Sequence, residues 1–385
     1  MTGGVDTERP AARLPSPRGV ARTRGRTRRL RWALTRVLPF GAIWVAFGVV
    51  FLFSEYAATD GFRLSPPDQI RPDAVILAFA LTVLFALGCA VGALELFVLR
   101  ARFAALPYWL SIAARLGIYV VVFDALIVVG FLATAAMEGE GAFGSDDAWA
   151  RLLSFGAGVG FWSAMLQLSV SLVASLFYAE MADSHGSGYL RRLFTGYYHE
   201  PREERRVFLF VDMRSSTTLT ERLGHAQYFR LLRRYLRDLS APILECGGEV
   251  YQYVGDEVIV SWRHRAGAEE EALACYVEMR HTLDRLATDY ERDFGVCPRF
   301  KAALHAGEVT VGEVGLLKRD LAFTGDVLNA TARMQALCGP RGVDVVFSGL
   351  VRDALGSPWR ERAVPLGAEV LRGQSAPVEL YSLAT

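Results

Sequence analysis

The sequence predicts two parts: an α-helical membrane domain, a four-helix transmembrane bundle, followed by an α/β domain built on a mixed sheet. Three observations lead there. Hydrophobic residues fill 52% of the 385 positions, a high share for a wholly soluble chain. Four apolar runs in the first half are long enough to cross a bilayer, which takes about 20 residues each. In the second half, short apolar runs alternate with amphipathic stretches, the pattern of strands separated by helices.

The net charge of +1 conceals an asymmetry. Residues 1–32 carry Arg9, Arg13, Arg18, Arg22, Arg24, Arg26, Arg28, Arg29 and Arg31 against only Asp6 and Glu8. An arm this polar and this rich in Pro and Gly is expected to be disordered. The runs that follow it favour an anionic membrane surface over nucleic acid as its neighbour. They cover about Val37–Ser54, Ala74–Leu99, Leu116–Met137 and Leu152–Tyr178 within a membrane domain of residues 33–180. No secretory leader is expected, because the first run lacks a small-residue cleavage site and more spans follow. Four successive runs make buried core helices a poor alternative.

Basic residues fix the expected orientation. The arm is arginine-rich, Arg100 and Arg102 lie between the second and third runs, and Arg191, Arg192, Arg202, Arg205 and Arg206 follow the fourth. The loop before the fourth run is acidic, with Glu138, Glu140, Asp146 and Asp147. The lipid bilayer partner is therefore the cell inner (plasma) membrane, with both termini cytoplasmic. Glu95 and Arg115, near inner ends of their spans, are expected to pair or to reach the interface. Asp124 lies deeper and needs a partner, either a helix–helix hydrogen bond or a sensing or proton-linked site. Five scattered cysteines without CxxC spacing argue against disulfides and zinc and fit a reducing cytosol. Residues 181–205 read as a linker: a Gly186–Ser187–Gly188 break, an aromatic-basic patch, and a charge run from Glu200 to Arg206. Its place between the two parts suggests a coupling segment.

Residues 206–385 form the second domain. Val207–Val211 is a continuous apolar run ending at Asp212, a buried central strand. Ser215, Ser216 and Thr217 then cap a helix. A longer helix covers about His225–Glu245, broken by Pro242 and stopped by Gly247–Gly248. Glu249–Tyr253 and Val258–Trp262 flank Gly255–Asp256 and read as a tight hairpin. One helix is expected over about Ala266–Phe294, a strand over Phe300–His305, and a helix carrying Leu328–Leu337.

Asp212 and Asp256 are 44 positions apart, so only strand adjacency can unite them. If the hairpin flanks the first strand, both carboxylates enter one crevice. Two carboxylates and a backbone carbonyl, that of Met213, suit Mg²⁺ holding substrate phosphates. Two such ions can stabilise the attacking and leaving oxygens of an in-line displacement. Backbone N–H groups at the helix start after Asp212 favour phosphate as well. A lone aspartate after a strand is more often a helix cap; the combination is what carries the reading.

Four blocks, in order, are Phe210–Val–Asp–Met–Arg–Ser–Ser–Thr217, Tyr251–Gln–Tyr–Val–Gly–Asp–Glu–Val258, Leu304–His–Ala–Gly307 and Thr324–Gly–Asp–Val–Leu–Asn–Ala–Thr–Ala–Arg–Met334. Together they resemble the class III adenylate/guanylate cyclases over about Arg206–Leu383. The resemblance implies an α/β (α+β, ferredoxin-like) catalytic domain working as a homodimer with shared sites. It implies two Mg²⁺ or Mn²⁺ ions per site on Asp212, Met213 and Asp256. It implies that Asn329 and Arg333, one turn apart, come from the other subunit. Arg333 would neutralise charge on the α-phosphate while Asn329 orients the ribose, and Arg372 would contact the outer phosphates. The reaction implied is ATP to 3′,5′-cyclic AMP and pyrophosphate, largely by positioning and electrostatics.

In one place the chain departs from the family. Where many adenylate cyclases read the base with a Lys and an Asp or Thr, this chain has Gln252 and Ala322. Gln can donate or accept and Ala can do neither, so GTP stays open beside ATP. Lys318, Arg319 and Asp320 are candidates to compensate. The rivals are a diguanylate cyclase, whose hairpin signature needs a second Gly, a catalytically weak nucleotide-binding sensor, and a transporter, for which the spans are too few and too apolar.

Overall fold

A computed structural model describes residues 20–58, 74–103, 106–137, 153–154, 156–185, 196–315, 320–372 and 376–384. The chain divides into two compact units, Arg31–Thr195 and Gly196–Thr385 with Met1–Leu30.

The first unit is helical. Helix α1 runs Val20–Ala58, α2 Ala74–Leu94, α3 Arg100–Phe103, α4 Tyr108–Met137 and α5 Val159–His185. Between α2 and α3 the chain makes a π-helical turn over Glu95–Leu99. Among the described residues three helices are long and apolar enough to cross a membrane: Arg28–Ser54, Leu77–Leu99 and Phe161–Ala182. The expected third run lies in α4, where most side chains beyond Ala125 fall outside the described residues. Phe40, Trp44, Val91, Tyr119, Phe123 and Leu172 form the packed centre of this unit. Trp44 donates its indole N–H to Ser175 at 3.2 Å. The expected disordered arm is helical from Val20 onward. Arginine is a good helix former, and extending an existing helix avoids the cost of nucleating one. The acidic loop and residues 186–195 of the expected linker lie outside the described residues.

In the second unit, an eight-stranded sheet has the order β2-β3-β1-β4-β6-β8-β7, with β5 paired to β4. The strands are β1 Arg202–Met213, β2 Glu249–Val254, β3 Glu257–Arg263, β4 Phe300–Val314, β5 Asp320–Thr324, β6 Val345–Ser348, β7 Ala363–Glu369 and β8 Val378–Leu383. Every pairing is antiparallel except β4 with β6. The helices are α6 Ser216–Leu223, α7 His225–Glu245, α8 Ala268–Arg285, α9 Ala287–Phe294, α10 Asp326–Ala336, α11 Gly349–Ala354 and α12 Ser357–Arg360.

Strand β1 explains its own apolar run. Val207, Leu209 and Val211 pack toward Leu231, Tyr235 and Leu239 of α7 and Tyr276 of α8. Phe208 and Phe210 pack the other way, with Phe323 and Val327. With both faces covered, the strand has no polar alternation. Each of these large side chains contributes about 1.5–3 kcal/mol by leaving water.

Several boundaries differ from expectation. The charge run is not linker: Arg202–Arg206 is the first part of β1, paired with Val311–Gly307 of β4. The charge of Arg206 is met within the strand by Glu204 and across the sheet by Ser261 and Phe323. Buried Arg206 donates to Glu204 at 2.8 Å and Ser261 at 3.1 Å, and lies 4.7 Å over the Phe323 ring. Buried Tyr198 donates to Glu204 at 2.9 Å. Pro242 sits inside α7 without breaking it, because α7 continues only one turn beyond. The expected single helix over Ala266–Phe294 is two, α8 and α9, joined at Leu286. Strand β4 does not stop after His305 but continues to Val314, where β5 covers it.

Candidate active site

The β1–β3 pairing ends at Val211 opposite Val258, so Asp212 is one residue past the last pair and Asp256 two. Gly255, at φ 62°, makes the left-handed turn that sets Asp256 at the hairpin tip. The hairpin thus flanks the first strand, and the two aspartates become neighbours. Burial pushes the Asp256 carboxyl above the usual carboxylate range; the Asp212 charge pushes the same way, and the Ser216 hydroxyl opposes it. Asp256 Oδ2 is buried with no hydrogen-bond partner. Glu257 is raised too, first by burial and then by both aspartates. A buried acceptor without a partner, next to like charges, is short of a cation.

Lys301 Nζ lies 3.0 Å from Asp212 Oδ2, across the β1–β4 pairing. Tyr235 of α7 is fully buried, its hydroxyl without a partner and its pKa driven well up by burial and then by the two aspartates. Tyr228, one helical stretch earlier, is raised by burial and by Asp256. None of these three was singled out from the sequence. Lys301 had a signal, being one of only two lysines in an arginine-rich chain.

Could the site hold a metal? Among the described residues no group of three or more His, Cys, Asp or Glu is arranged as a cage. A carboxylate pair with a backbone carbonyl is the sparser donor set that suits Mg²⁺ bound jointly with phosphates. Asp212 and Asp256 fit that role, and the open Oδ2 is a ready ligand atom. Met213 has a buried side chain in β1, so only its backbone can serve.

The turn after Met213 differs from the expected cap. Ser215 precedes α6 in the left-handed region, φ 57°, and its side chain makes no capping bond. That backbone carries the hydroxyl away from the helix end. Leu219 N–H bonds to Ser215 O at 2.9 Å, so the N–H groups of Ser216, Thr217 and Thr218 precede the first helical bond. Such groups attract phosphate.

Asn329 and Arg333 lie on α10, whose buried face is Val327, Ala330, Thr331 and Met334. Two glycines set that helix down. A Cβ on Gly307 would lie 3.0 Å from Val327, and one on Gly325 would lie 2.8 Å from Glu308 O. Asn329 is exposed and Arg333 half-buried. Among the described residues neither has a hydrogen-bond or ion-pair partner, and nothing joins them to Asp212 or Asp256.

Gln252 is exposed on β2, and Ala322 is half-buried on β5. Their chain neighbours Tyr251 and Phe323 stack at 4.4 Å and 10°, and Phe323 N–H donates to Tyr251 Oη at 3.2 Å. This stack, not anticipated from the sequence, ties β2 to β5. Arg372 is exposed in the turn after β7 and is not joined to the aspartates; residues 373–375 lie outside the described residues, as do Lys318 and Arg319. Asp320 opens β5.

In the helical unit, Arg115 pairs with Glu95 as anticipated. Asp124 Oδ1 is buried without a hydrogen-bond partner, so the helix–helix bond expected of it is not formed at that oxygen.

No protein-family model matches the chain. It is 32% identical over 209 residues to adenylate cyclase 2 of Rhizobium meliloti, covering 54% of this chain and 58% of that protein. It is 26% identical over 186 residues to an adenylate cyclase of Anabaena cylindrica, covering 46% and 36%. The chain therefore spans less than two thirds of these relatives' length. A solved bacterial light-regulated adenylyl cyclase superposes with TM-score 0.50 at 23% identity, over 57% of this chain and 64% of that one. The chain is similar in sequence to these adenylate cyclases, and the likeness to the solved cyclase shows the fold of a cyclase catalytic domain.

Proposed function

We propose that the chain is a membrane-anchored adenylate cyclase, converting ATP to 3′,5′-cyclic AMP and pyrophosphate at sites shared by a homodimer. One observation carries the reading. Asp212 and Asp256 are neighbours with an unsatisfied buried oxygen, while exposed Asn329 and half-buried Arg333 have no partner among the described residues. The aspartate half calls for metal ions, and the α10 half is left free to meet a nucleotide bound by another subunit. The names of the Rhizobium and Anabaena relatives point the same way.

In this reading Asp212, Asp256 and the Met213 carbonyl hold two Mg²⁺ or Mn²⁺ ions. Those ions, when bound, supply Lewis-acid stabilisation to the phosphates and a more acidic ribose hydroxyl. The N–H groups of Ser216 and Thr217 and the Lys301 ammonium take up phosphate charge. Arg333 of the second subunit neutralises the α-phosphate, Asn329 holds the ribose, and Arg372 meets the outer phosphates. The ribose O3′ forms a bond to the α-phosphorus, the bond to the pyrophosphate oxygen breaks, and the 3′ proton passes to solvent. Gln252 and Ala322 border the base. The active domain and the N-terminus face the cytoplasm, and the apolar helices hold the inner membrane.

A second reading, guanylate cyclase, is favoured by Ala322, which gives adenine no hydrogen bond. Purified full-length protein with Mn²⁺ or Mg²⁺ is offered ATP and GTP separately, and the products are weighed by mass spectrometry. Cyclic AMP from ATP is the expected result. Predominant cyclic GMP would overturn the substrate, and no cyclic product from folded dimer would overturn the activity.

A further inference from the structure

The helical unit contains a cavity of about 280 Å³ that the cyclase chemistry does not use. Phe40, Leu96, Phe103 and Tyr178 form its apolar walls, and Glu95, Ser111 and Arg115 its polar floor. The π-helical turn begins at Glu95 itself, and such bulges recur at functional sites because they re-aim one turn of side chains. Gly92 allows Phe40 to close the wall; a Cβ there would lie 2.8 Å from the Phe40 ring.

The floor has unfilled valences. Arg115 donates through Nε to Ser111 O at 3.1 Å, through Nη2 to Ser111 Oγ at 2.8 Å and through Nη1 to Glu95 Oε1. A guanidinium carries five N–H donors, so two remain. Glu95 is 3% exposed, and its second oxygen, Oε2, is buried without a partner. A buried carboxylate oxygen left unpaired is costly and calls for a donor. The ion pair is already neutral. An added anion would meet Oε2, and an added cation would meet the spare N–H groups of Arg115. Arg36 and Glu180 also line the cavity, one charge of each sign. A single water takes about 30 Å³ and would leave the aromatic walls unfilled.

We propose that this cavity binds a neutral amphiphile: an alcohol or carboxamide head that donates to Glu95 and accepts from Arg115, on an apolar body of about one ring. A glycerol-headed lipid and a soluble small molecule share that chemistry.

The test uses the full chain in phosphatidylcholine nanodiscs, whose head groups carry no hydrogen-bond donor. Fluorine NMR line broadening is recorded for para-fluorobenzamide and para-fluorobenzyl alcohol, with para-fluorobenzoate and para-fluorobenzylamine as charged counterparts and empty nanodiscs as blank. Saturable broadening by the neutral pair alone is expected. Ala179→Leu, which narrows the cavity without touching the ion pair, should weaken binding about tenfold. Competition by added dioctanoylglycerol would identify a lipid as the natural source, and its absence a soluble molecule. Equal broadening by all four heads, or none, overturns the proposal in the unmodified protein, as does full binding by a folded Ala179→Leu variant.

Discussion

The two halves of the candidate active site are built on opposite plans. The aspartate half is assembled entirely within one chain: β1, the β2–β3 hairpin and α7 converge on Asp212 and Asp256. The α10 half is exported. That helix packs its apolar side on the sheet and leaves Asn329 and Arg333 outside, uncommitted. The contrast teaches where information about a shared site resides. In the proposed reading, carboxylates crowded together declare a missing cation within one chain, whereas a basic residue meant for a second subunit shows only as the absence of a partner among the described residues.

The strongest way to break this comparison is to separate the halves. Asp256→Ala should lower turnover by roughly 10²–10³-fold or more, the scale of removing one preorganised charge stabiliser. Arg333→Ala should do likewise. Mixing Asp212→Ala with Arg333→Ala chains should restore part of the rate, since one site of each heterodimer is then intact. Silence from a confirmed heterodimer would show that the halves do not complement each other across an interface. A gentler break moves α10 alone. Gly325→Ala would press a Cβ on Glu308 O, shifting the start of the helix. We expect turnover to fall about tenfold, as small misplacements do, with the metal concentration for half-activity unchanged. A shift in that concentration would mean that the aspartate half also leans on α10.

The smallest effect sharpens the comparison by removing stability from it. His305 is buried on β4, its Nδ1 2.8 Å from Ser348 Oγ, and burial lowers its pKa from 6.5 to about 4. The folded state therefore refuses a proton that the unfolded chain accepts, and stability falls as pH drops from 6.5 toward 4. The loss is up to about 3 kcal/mol. Denaturant titrations between those pH values should show it, and His305→Gln should flatten it. An unchanged acid limb in that variant would assign the loss to other groups.

Much of this was legible in the sequence, and what was not has a physical reason. The Val207–Val211 run and the Gly255–Asp256 turn announced the strand, the hairpin and their meeting, because periodicity and turn chemistry are local. The Glu95–Arg115 pair was legible from two charges at like depth in apolar spans. Arg202–Arg206 was misread as linker because its strand partner Gly307–Val311, and the Ser261 and Phe323 that meet Arg206, lie far from it in sequence. Ser215 looked like a cap, yet capping needs an extended backbone and Ser215 is left-handed. Lys301 escaped because the register that sets it opposite Asp212 belongs to the sheet alone.

The Arg206 network also constrains how this domain can change over evolutionary time. Its guanidinium meets Glu204, Glu249, Ser261, Tyr198 and the Phe323 face at once. Lysine, a point charge without the planar fork, cannot reproduce that set. An apolar residue at this position would leave Glu204 only Tyr198 at 2.9 Å and Arg263 at 3.6 Å, although its carboxyl is held below its usual range chiefly by Arg206, against the burial that would raise it. Breaking one partner of such a buried pair costs about 3–5 kcal/mol, whereas exchanging both for well-packed apolar residues can cost nothing. Single substitutions here fall into a valley that double ones cross. Residues 198, 204 and 206 are therefore expected to be inherited as a block, kept together or replaced together across lineages.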